Sequence, residues 1–405
     1  MRLIDRPKYM DFLIRNKDRQ IIKVVSGVRR CGKSTLFKQF RDYLLANQVD
    51  SSQIIAINFE DLAFESLLEY HALYQYINER LIPDKKNYIF LDEIQHVAQF
   101  EKVVDSLYIK DNVDLYITGS NAFFMSGEIA TLLTGRYVEL EMLPLSFNEF
   151  CEGTDDSSHQ SLEVMYNRYI EESSFPYTRT LGGAKFDVQE YLRGLYNTIL
   201  LKDVVQRLRV TDVAILESIV KYIFANVGSL LSASKIANSL TSAGRKVDSK
   251  TVERYLKGLE DSLILYRANR YNVRGKELLK LNPKYYVVDP ALRYYVVGNK
   301  GYDTGHMLEN VIYLELRRRG YTVYIGSIPN SEIDFVAIKD NQVEYYQVSE
   351  STLQAETLER ELKPLRSLND HYPKYLLTLD RINGYADYDG IQKINALDWL
   401  LNKNK

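Results

Sequence analysis

The sequence contains few cysteines, no long apolar run and no excess of charge of either sign. Its 405 residues include two cysteines, Cys31 and Cys151, which excludes a disulfide-stabilised fold and fits a reducing compartment. No segment approaches the roughly 18 consecutive apolar residues that a membrane-spanning helix needs. Residues 1–20 also lack the apolar core of an export signal. We therefore expect a cytoplasmic protein that does not enter the membrane.

Charge is balanced over the whole chain but not along it. The 52 Lys and Arg oppose 54 Asp and Glu, and the net charge of −2 by itself argues against a dedicated nucleic-acid binder. Residues 191–284, however, contain 17 Lys and Arg against 8 Asp and Glu, so this segment carries +9 and the rest of the chain −11. Nucleic acid therefore stays open as a partner of the middle segment, although its basic face could equally contact the acidic flanks of a neighbouring subunit.

The first 120 residues alternate short apolar runs with helical patterns. Four runs rich in β-branched or aromatic residues predict strands at residues 21–26, 53–59, 88–91 and 115–118. An amphipathic segment at 34–47 predicts a helix directly after the first strand. Short apolar strands that alternate with helices are typical of βαβ units, so we expect an α/β fold with a buried parallel sheet.

A glycine-rich loop follows the first predicted strand. Residues 27–35, GVRRCGKST, match the phosphate-binding pattern GxxxxGK[ST] in full, between a strand and a helix as the motif requires. Glycine lets backbone amides approach a phosphate, Lys33 supplies charge for the β- and γ-phosphates, and the Ser34 hydroxyl can bind Mg²⁺. The positive end of the following helix points at the same anion. The predicted nucleotide-binding residues of this loop are Gly27, Arg29, Arg30, Cys31, Gly32, Lys33, Ser34 and Thr35.

Two later strands end in polar residues. After residues 88–91, Asp92 can hold the Mg²⁺ shell and Glu93 can polarise the attacking water. After residues 115–118 comes Gly119-Ser120-Asn121, which in a parallel sheet would lie beside the acidic strand end. A polar group such as Ser120 can sense the γ-phosphate there, but the same residues are also typical of a plain turn.

Together these residues resemble the AAA+ branch of P-loop ATPases, and most closely a prokaryotic family that joins such a domain to winged-helix and nuclease-like parts of unknown function. The segments that carry the resemblance are GVRRCGKST at 27–35, YIFLDEIQ at 88–95, YITGSNA at 116–122 and LLTGRYVELEMLPLSFNEF at 132–150. The resemblance implies ATP and Mg²⁺ as ligands and a homo-oligomer, with a hexameric ring favoured. It also implies that Arg136 contacts the γ-phosphate of a neighbouring subunit as an arginine finger. The alternative is a surface arginine that precedes a strand.

The middle of the chain has the element order of a winged helix. The pattern predicts helices at 232–240 and 248–261, followed by strands at 263–271 and 285–288. Such a module can place residues 232–284 on DNA, with its second helix in the major groove, or it can serve only to join proteins. We expect three domains: an ATPase domain with a helical cap at 1–190, a winged-helix-like domain at 191–295 and a nuclease-like domain at 296–405.

The last segment has the αβββαβ order of the restriction-endonuclease-like fold. In that family a helix Glu, a strand Asp and a following Glu-x-Lys bind metal and activate water; Glu309 and Asp334 match the first two positions. Gln347-Val348-Ser349 stands where Glu-x-Lys is expected, so one metal-binding carboxylate and the lysine are missing from the motif. We therefore expect a degenerate small α/β domain rather than an active nuclease.

Three functions follow from these patterns. The leading prediction is an ATPase whose site is completed by a neighbouring subunit's arginine. The alternative is a nucleotide-gated DNA-binding regulator with slow hydrolysis, in which ATP mainly selects a conformation. The third is an active nuclease, which the altered motif at Gln347 disfavours.

Overall fold

A computed structural model of the protein describes residues 3–119, 133, 135–154, 160–298 and 304–402. The chain divides into two compact units. Unit 1 comprises residues 1–144 and 261–263, and unit 2 comprises residues 145–260 and 264–405. The finer division into three domains, at 190 and 295, remains a prediction. Among the described residues, no helix has the length and apolarity to cross a membrane.

Unit 1 contains the predicted parallel α/β sheet. Its strands are β1 (Ile22–Ser26), β2 (Ile54–Asn58), β3 (Asn87–Asp92), β4 (Val113–Thr118) and β5 (Tyr137–Glu141). The described helices are α1 (Pro7–Asn16), α2 (Lys33–Ala46), α3 (Tyr70–Asn78) and α4 (Phe100–Tyr108). The strand order is β2-β3-β4-β1-β5, and every pairing is parallel.

Strand composition matches position in this sheet. The central strands β1, β3 and β4 are buried along their whole length, whereas the edge strands β2 and β5 are partly exposed. Continuous apolar runs suit strands that are covered on both faces, and this is why the sequence marks them clearly. All five carboxyl ends meet at one edge of the sheet, where the residues that follow β1 and β3 lie beside Thr118, the last residue of β4.

Unit 2 is a mixed α/β unit with more helices. Its helices are α5 (Phe147–Glu152), α6 (Leu162–Glu172), α7 (Lys185–Thr198), α8 (Val213–Ala225), α9 (Ala233–Ser242), α10 (Ser249–Asp261), α11 (Pro290–Val297), α12 (Thr304–Arg318), α13 (Ala355–Arg366) and α14 (Ala396–Leu400). Its strands are β6 (Leu265–Asn272), β7 (Glu277–Val287), β8 (Thr322–Ile328), β9 (Ser331–Lys339), β10 (Gln342–Ser349), β11 (Lys374–Thr378), β12 (Ala386–Tyr388) and β13 (Ile391–Asn395). A π-helical segment, Ile199–Gln206, continues α7.

One sheet of eight strands runs through unit 2, in the order β12-β13-β11-β10-β9-β8-β6-β7. The predicted order of helix, helix and hairpin is present in α9, α10, β6 and β7, but β7 begins at Glu277 and is much longer than the predicted strand at 285–288. The hairpin also pairs with the nuclease-like strands, because Arg270 of β6 lies parallel to Ile325 of β8. The identification of α9 to β7 as a winged helix remains a prediction.

Candidate nucleotide-binding site

At two positions in the loop between β1 and α2, the backbone suits glycine and no larger residue. Gly27 has φ +152°, and a Cβ there would lie 2.3 Å from the Met142 carbonyl oxygen. Gly32 has φ +110° and caps α2 without a side-chain hydrogen bond. The first amides of α2 are therefore left uncapped by a side chain, which is the arrangement that binds an anion.

Lys33 is the first residue of α2 and is buried beneath the loop. Its ammonium donates to the carbonyl oxygen of Gly27 at 2.9 Å and to that of Val28 at 3.4 Å. It also lies 3.9 Å from a carboxylate oxygen of Glu93. The lysine thus holds the loop closed and lies next to the acidic end of β3.

Asp92 connects the loop to two neighbouring strands. It is buried at the end of β3 and forms hydrogen bonds with the hydroxyls of Ser34 and Thr118. Burial raises the pKa of Asp92, although both hydroxyl hydrogen bonds and the charge of Lys33 oppose this rise. A nearby cation would stabilise the ionised carboxylate, so Asp92 and Ser34 together suit a divalent ion that prefers oxygen ligands.

Glu93 follows in a left-handed backbone conformation, with φ +57° and ψ +47°. Its N–H donates to the Thr118 hydroxyl at 3.0 Å, and one of its carboxylate oxygens accepts from the Gln95 amide at 2.6 Å. This region of φ/ψ space is uncommon for a non-glycine residue, and here the hydrogen bond to Thr118 helps to hold it. Thr118 therefore fixes both acidic residues, which gives a defined role to a position that the sequence marks only as a polar strand end.

A cavity of about 340 Å³ opens beside these groups. Its polar lining includes Ser34, Thr35 and Lys38 of α2, Asn58 at the end of β2, and Asp92. Asn58 lies directly opposite Asp92 in the sheet register. The uncapped helix, the buried lysine and the paired hydroxyl and carboxylate fit a nucleotide phosphate with its Mg²⁺.

The other predicted loop residues have less specific surroundings. The Arg29 guanidinium forms an ion pair with Glu60 at 3.1 Å, and Arg30 is exposed with φ +64°. Cys31 is fully buried, and burial raises the pKa of its thiol. Thr35 contributes to the cavity. Ser120 lies outside the described residues.

Arg6 supports the loop, although no sequence motif marks it as part of the site. Its buried guanidinium donates to the carbonyl oxygen of Cys31 at 3.2 Å, of Leu143 at 2.9 Å and of Pro144 at 3.1 Å. The side chain also lies over the ring of Tyr9 at 4.5 Å. No motif links an arginine before α1 to the loop, since its acceptors are backbone atoms 25 to 138 positions away.

Arg136 lies at the opposite edge of the sheet from the loop. Its carbonyl oxygen accepts from the N–H of Ile22 at 2.9 Å, at the start of β1, whereas the loop begins after the end of that strand. The five residues of β1 separate the two edges by about 16 Å, at roughly 3.3 Å per residue. An arginine side chain does not span that distance, so Arg136 does not belong to its own subunit's site. Its half-exposed guanidinium pairs with Asp105 at 3.0 Å.

The predicted nuclease-like residues of unit 2 do come together. Glu309 of α12, Asp334 of β9 and Gln347 of β10 are all buried, and the N–H of Asp334 donates weakly to the Gln347 side chain at 3.4 Å. Burial and then the charge of Glu309 raise the pKa of Asp334 to about 8, although Lys284 opposes this rise. The lysine that is missing from the motif at Ser349 has a neighbour of the same type in space, because Lys284 of β7 lies beside Glu309 and Asp334.

Family models match two successive segments of the chain. An AAA domain matches residues 19–151, and a domain of unknown function matches residues 164–303. These matches place the loop, Asp92, Glu93 and Arg136 inside the AAA domain.

Two relatives match the chain over nearly its full length. An uncharacterised protein of Haemophilus influenzae is 39% identical over 98% of this chain and 99% of its own. An uncharacterised protein of Methanocaldococcus jannaschii is 31% identical over 95% of this chain and 86% of its own. Among solved structures, a Walker-type ATPase of Pyrococcus abyssi superposes with a TM-score of 0.52 and 16% identity, over 73% of this chain and 96% of that one. That likeness indicates a shared fold.

Proposed function

Since the chain belongs to the family of AAA-domain proteins that includes its Haemophilus influenzae and Methanocaldococcus jannaschii relatives, we propose that it is a magnesium-dependent ATPase. The observation that carries the proposal is the hydrogen-bonded chain of Ser34, Asp92, Thr118 and Glu93 beside Lys33. It joins a phosphate-binding loop, a metal-ligand pair and a carboxylate at one edge of one sheet.

Each residue has a distinct task in this proposal. The amides of the loop and the Lys33 ammonium bind the β- and γ-phosphates, and Ser34 and Asp92 hold Mg²⁺. The metal neutralises charge on the phosphate oxygens when it is bound. The Glu93 carboxylate orients a water molecule and accepts its proton, while Thr118 and Gln95 fix the position of that carboxylate. Ser120 is proposed as a further γ-phosphate contact on the sequence alone.

We propose that Arg136 acts on the site of a neighbouring copy, in a hexameric ring. Support comes from its position about 16 Å from its own loop, which excludes action within one subunit. Its exposed ion pair with Asp105 opposes such a role only weakly, because pairs of this kind contribute about 0.2–1 kcal/mol. A guanidinium at the γ-phosphate neutralises charge in the transition state, and its loss costs about 10³–10⁵ in turnover.

Nucleotide binding is tested with Lys33→Ala. The variant loses an ammonium worth about 1.5–3 kcal/mol in a charge-assisted hydrogen bond, so its ATP affinity should fall roughly 10- to 150-fold in equilibrium titrations. The matched control is Lys85→Ala, an exposed lysine in the loop before β3, which should bind ATP normally. Unchanged affinity of Lys33→Ala would remove the proposed site.

Action between subunits is tested by mixing two inactive variants. Lys33→Ala keeps Arg136 but binds ATP weakly and lacks the ammonium at the phosphates, whereas Arg136→Ala keeps the loop but lacks the arginine. If Arg136 acts on a neighbour, a mixture should recover part of the ATPase activity that neither variant has alone. Full activity of Arg136→Ala, or a mixture as inactive as its parts, would contradict an arginine finger. Mass measurement with and without ATP then gives the number of subunits.

A second candidate function is a nucleotide-gated DNA-binding regulator with slow hydrolysis. The observation that favours it is the exposed basic face of α10, where Lys250, Arg254 and Lys257 follow one another at spacings of four and three residues. Duplex DNA affinity should fall steeply with salt, and Lys250→Ala with Arg254→Ala should reduce the salt slope by about 2. Absence of binding at low salt would exclude this function.

A further inference from the structure

The cavity beside Ser34 and Asp92 extends along α2 beyond the residues that are proposed to bind the nucleotide. Its lining also includes Lys38 and Arg41, which lie about one and two helical turns after Ser34. At 1.5 Å per residue, Arg41 is about 10.5 Å from Ser34 along the helix axis. Side chains of a helix lean towards its N-terminus, so both cations point back towards Ser34. The cavity therefore has the proposed metal ligands at one end and two cations at the other.

The edge strand β2 explains why this space is open. Residues of β2 alternate between the buried core and a partly exposed face, which carries Ala56 and Asn58. Ala56 lies opposite Phe90 in the sheet register, and its methyl group fills little of the space beside α2. Phe64, which follows β2, contributes a further apolar wall. The result is a cavity with an apolar floor and with positive charges along the helix that flanks it.

Lys38 and Arg41 bring two positive charges to this cavity without carboxylate partners. Among the described residues, neither forms an ion pair, and the buried Nε of Arg41 has no hydrogen-bond acceptor. A buried donor that stays unpaired costs free energy, so an acceptor from outside the chain is expected there. The Asn58 side-chain oxygen accepts from the N–H of Glu60 at 2.9 Å, which leaves the NH₂ group of Asn58 as a further donor. These donors suit a doubly charged oxyanion such as phosphate.

We propose that Lys38, Arg41 and Asn58 bind the inorganic phosphate that ATP hydrolysis releases. This assignment rests on the proposed function, in which the oxygen of water joins the γ-phosphorus and the water proton passes to Glu93. ADP leaves with the electron pair of the broken P–O bond, and the phosphate is left beside Asp92, in the same cavity as the two cations. Asp92 is the single carboxylate among the described residues that line this cavity, so the cations outnumber it and attract the product.

Binding of inorganic phosphate is measured on the full-length, nucleotide-free protein by equilibrium dialysis with radiolabelled phosphate at constant ionic strength. Every sample carries Lys33→Ala, so that the phosphate loop contributes equally little. Arg41→Met keeps the apolar part of the side chain but removes the guanidinium, and it should weaken phosphate binding at least about tenfold. Lys38→Met should weaken binding less, because Lys38 is more exposed than Arg41. The matched control is Lys85→Met, an exposed lysine before β3, which should leave phosphate binding unchanged.

A second variant tests the cavity without a change of charge. Ala56→Leu places a larger side chain between β2 and α2, so it should also weaken phosphate binding at least about tenfold. Because Lys38 is exposed, Lys38→Met tests the site even if Arg41→Met or Ala56→Leu does not fold.

Product inhibition tests the link to hydrolysis in proteins that keep Lys33. Added inorganic phosphate should inhibit ATP turnover by the parent protein, and Arg41→Met should raise the inhibition constant at least about tenfold. Lys85→Met should have the inhibition constant of the parent.

Each assay has a result that would overturn the proposal. A Lys33→Ala protein that binds no phosphate, or that binds it equally well after substitution of Lys38 and Arg41, would remove the site. An unchanged inhibition constant in Arg41→Met would remove the assignment to the product of hydrolysis. Failure of the proposed function gives a different result, which is a parent protein without turnover. The dialysis requires no nucleotide, so it decides whether the phosphate site exists even in that case.

Discussion

Replacement of Arg6 by methionine should loosen the phosphate loop, although it replaces none of the residues that are proposed to contact ATP. Methionine keeps most of the apolar length of the side chain but removes the guanidinium. The carbonyl oxygens of Cys31, Leu143 and Pro144 then lose a charged donor in a buried environment. Cys31 belongs to the loop, and Leu143 and Pro144 belong to the segment after β5. Arg6 therefore joins these two segments, and its loss should loosen both.

The expected cost follows from the three hydrogen bonds. A buried acceptor that loses its donor costs about 1–3 kcal/mol, and we take the low end of that range for each of the three carbonyl groups. We therefore expect unit 1 to lose about 3 kcal/mol of stability. At 1.4 kcal/mol per factor of ten, amides of β1 and α2 that exchange only through opening of the unit should exchange roughly 10²-fold faster.

Hydrogen exchange measured by mass spectrometry separates this effect from general unfolding. Peptides that cover residues 22–46 report on the loop and its flanking elements, while the fluorescence of Trp399, the only tryptophan, reports that unit 2 remains folded. Arg15→Met is the matched control, because Arg15 lies on α1, the helix that Arg6 directly precedes, and is exposed. Exchange in residues 22–46 that stays within threefold of the parent would refute the role assigned to Arg6.

Three further predictions concern both units. Thr118→Val removes the hydroxyl between Asp92 and the Glu93 amide, and ATP turnover should fall about tenfold or more while ATP still binds, as measured by phosphate release and titration. Gly27→Ala places a Cβ 2.3 Å from the Met142 carbonyl oxygen, so both stability and ATP affinity should fall, as seen in thermal unfolding with and without ATP. Burial opposes ionisation of Asp380, but its hydrogen bonds lower its pKa to about 2. The largest of these effects comes from the hydrogen bond that Lys393 donates. Ionised Asp380 therefore contributes about 2 kcal/mol to the free energy of unfolding. This contribution is complete above pH 4 and is lost as pH falls towards 2.

Each of these predictions has a result that would contradict it. For Thr118, Ser in place of Val keeps the hydroxyl and should restore turnover; equal rates for Ser and Val variants would exclude the hydrogen bonds as the cause. For Gly27, an alanine variant with normal ATP affinity would mean that the close contact with Met142 is easily relieved. For Asp380, the acid unfolding curve of Asp380→Asn, followed by Trp399 fluorescence, should flatten between pH 4 and 2; a curve parallel to that of the parent would contradict the lowered pKa.

The features that sequence alone predicts are those encoded in local patterns. The strand at 88–91 with Asp92 and Glu93 is recognisable because a buried parallel strand is continuously apolar and its end is polar. The loop at 27–35 is recognisable because its function depends on backbone geometry that glycine allows. The proximity of Thr118 to Asp92 also follows from the sequence, since the carboxyl ends of neighbouring parallel strands meet at one edge.

The features that sequence alone does not predict depend on pairings between distant segments. Lys284 reaches the nuclease-like residues because β7 belongs to the same eight-stranded sheet, and no motif spacing connects it to Glu309 or Asp334. The parallel pairing of β6 with β8 joins the predicted winged-helix and nuclease-like regions in one sheet. Net charge is also a poor guide to partners, because the total of −2 is the sum of a segment of +9 and a remainder of −11.

The central claim is that ATP is hydrolysed at the site formed by the loop, Asp92 and Glu93. The most direct test is steady-state phosphate release at saturating ATP and Mg²⁺ by the parent protein and by Glu93→Gln, with ATP binding measured on the same samples. We predict turnover by the parent and a loss of about 10²- to 10⁴-fold in the variant, with ATP binding retained. Equal rates for the two proteins, or ATP binding without turnover by the parent at any protein concentration, would contradict it.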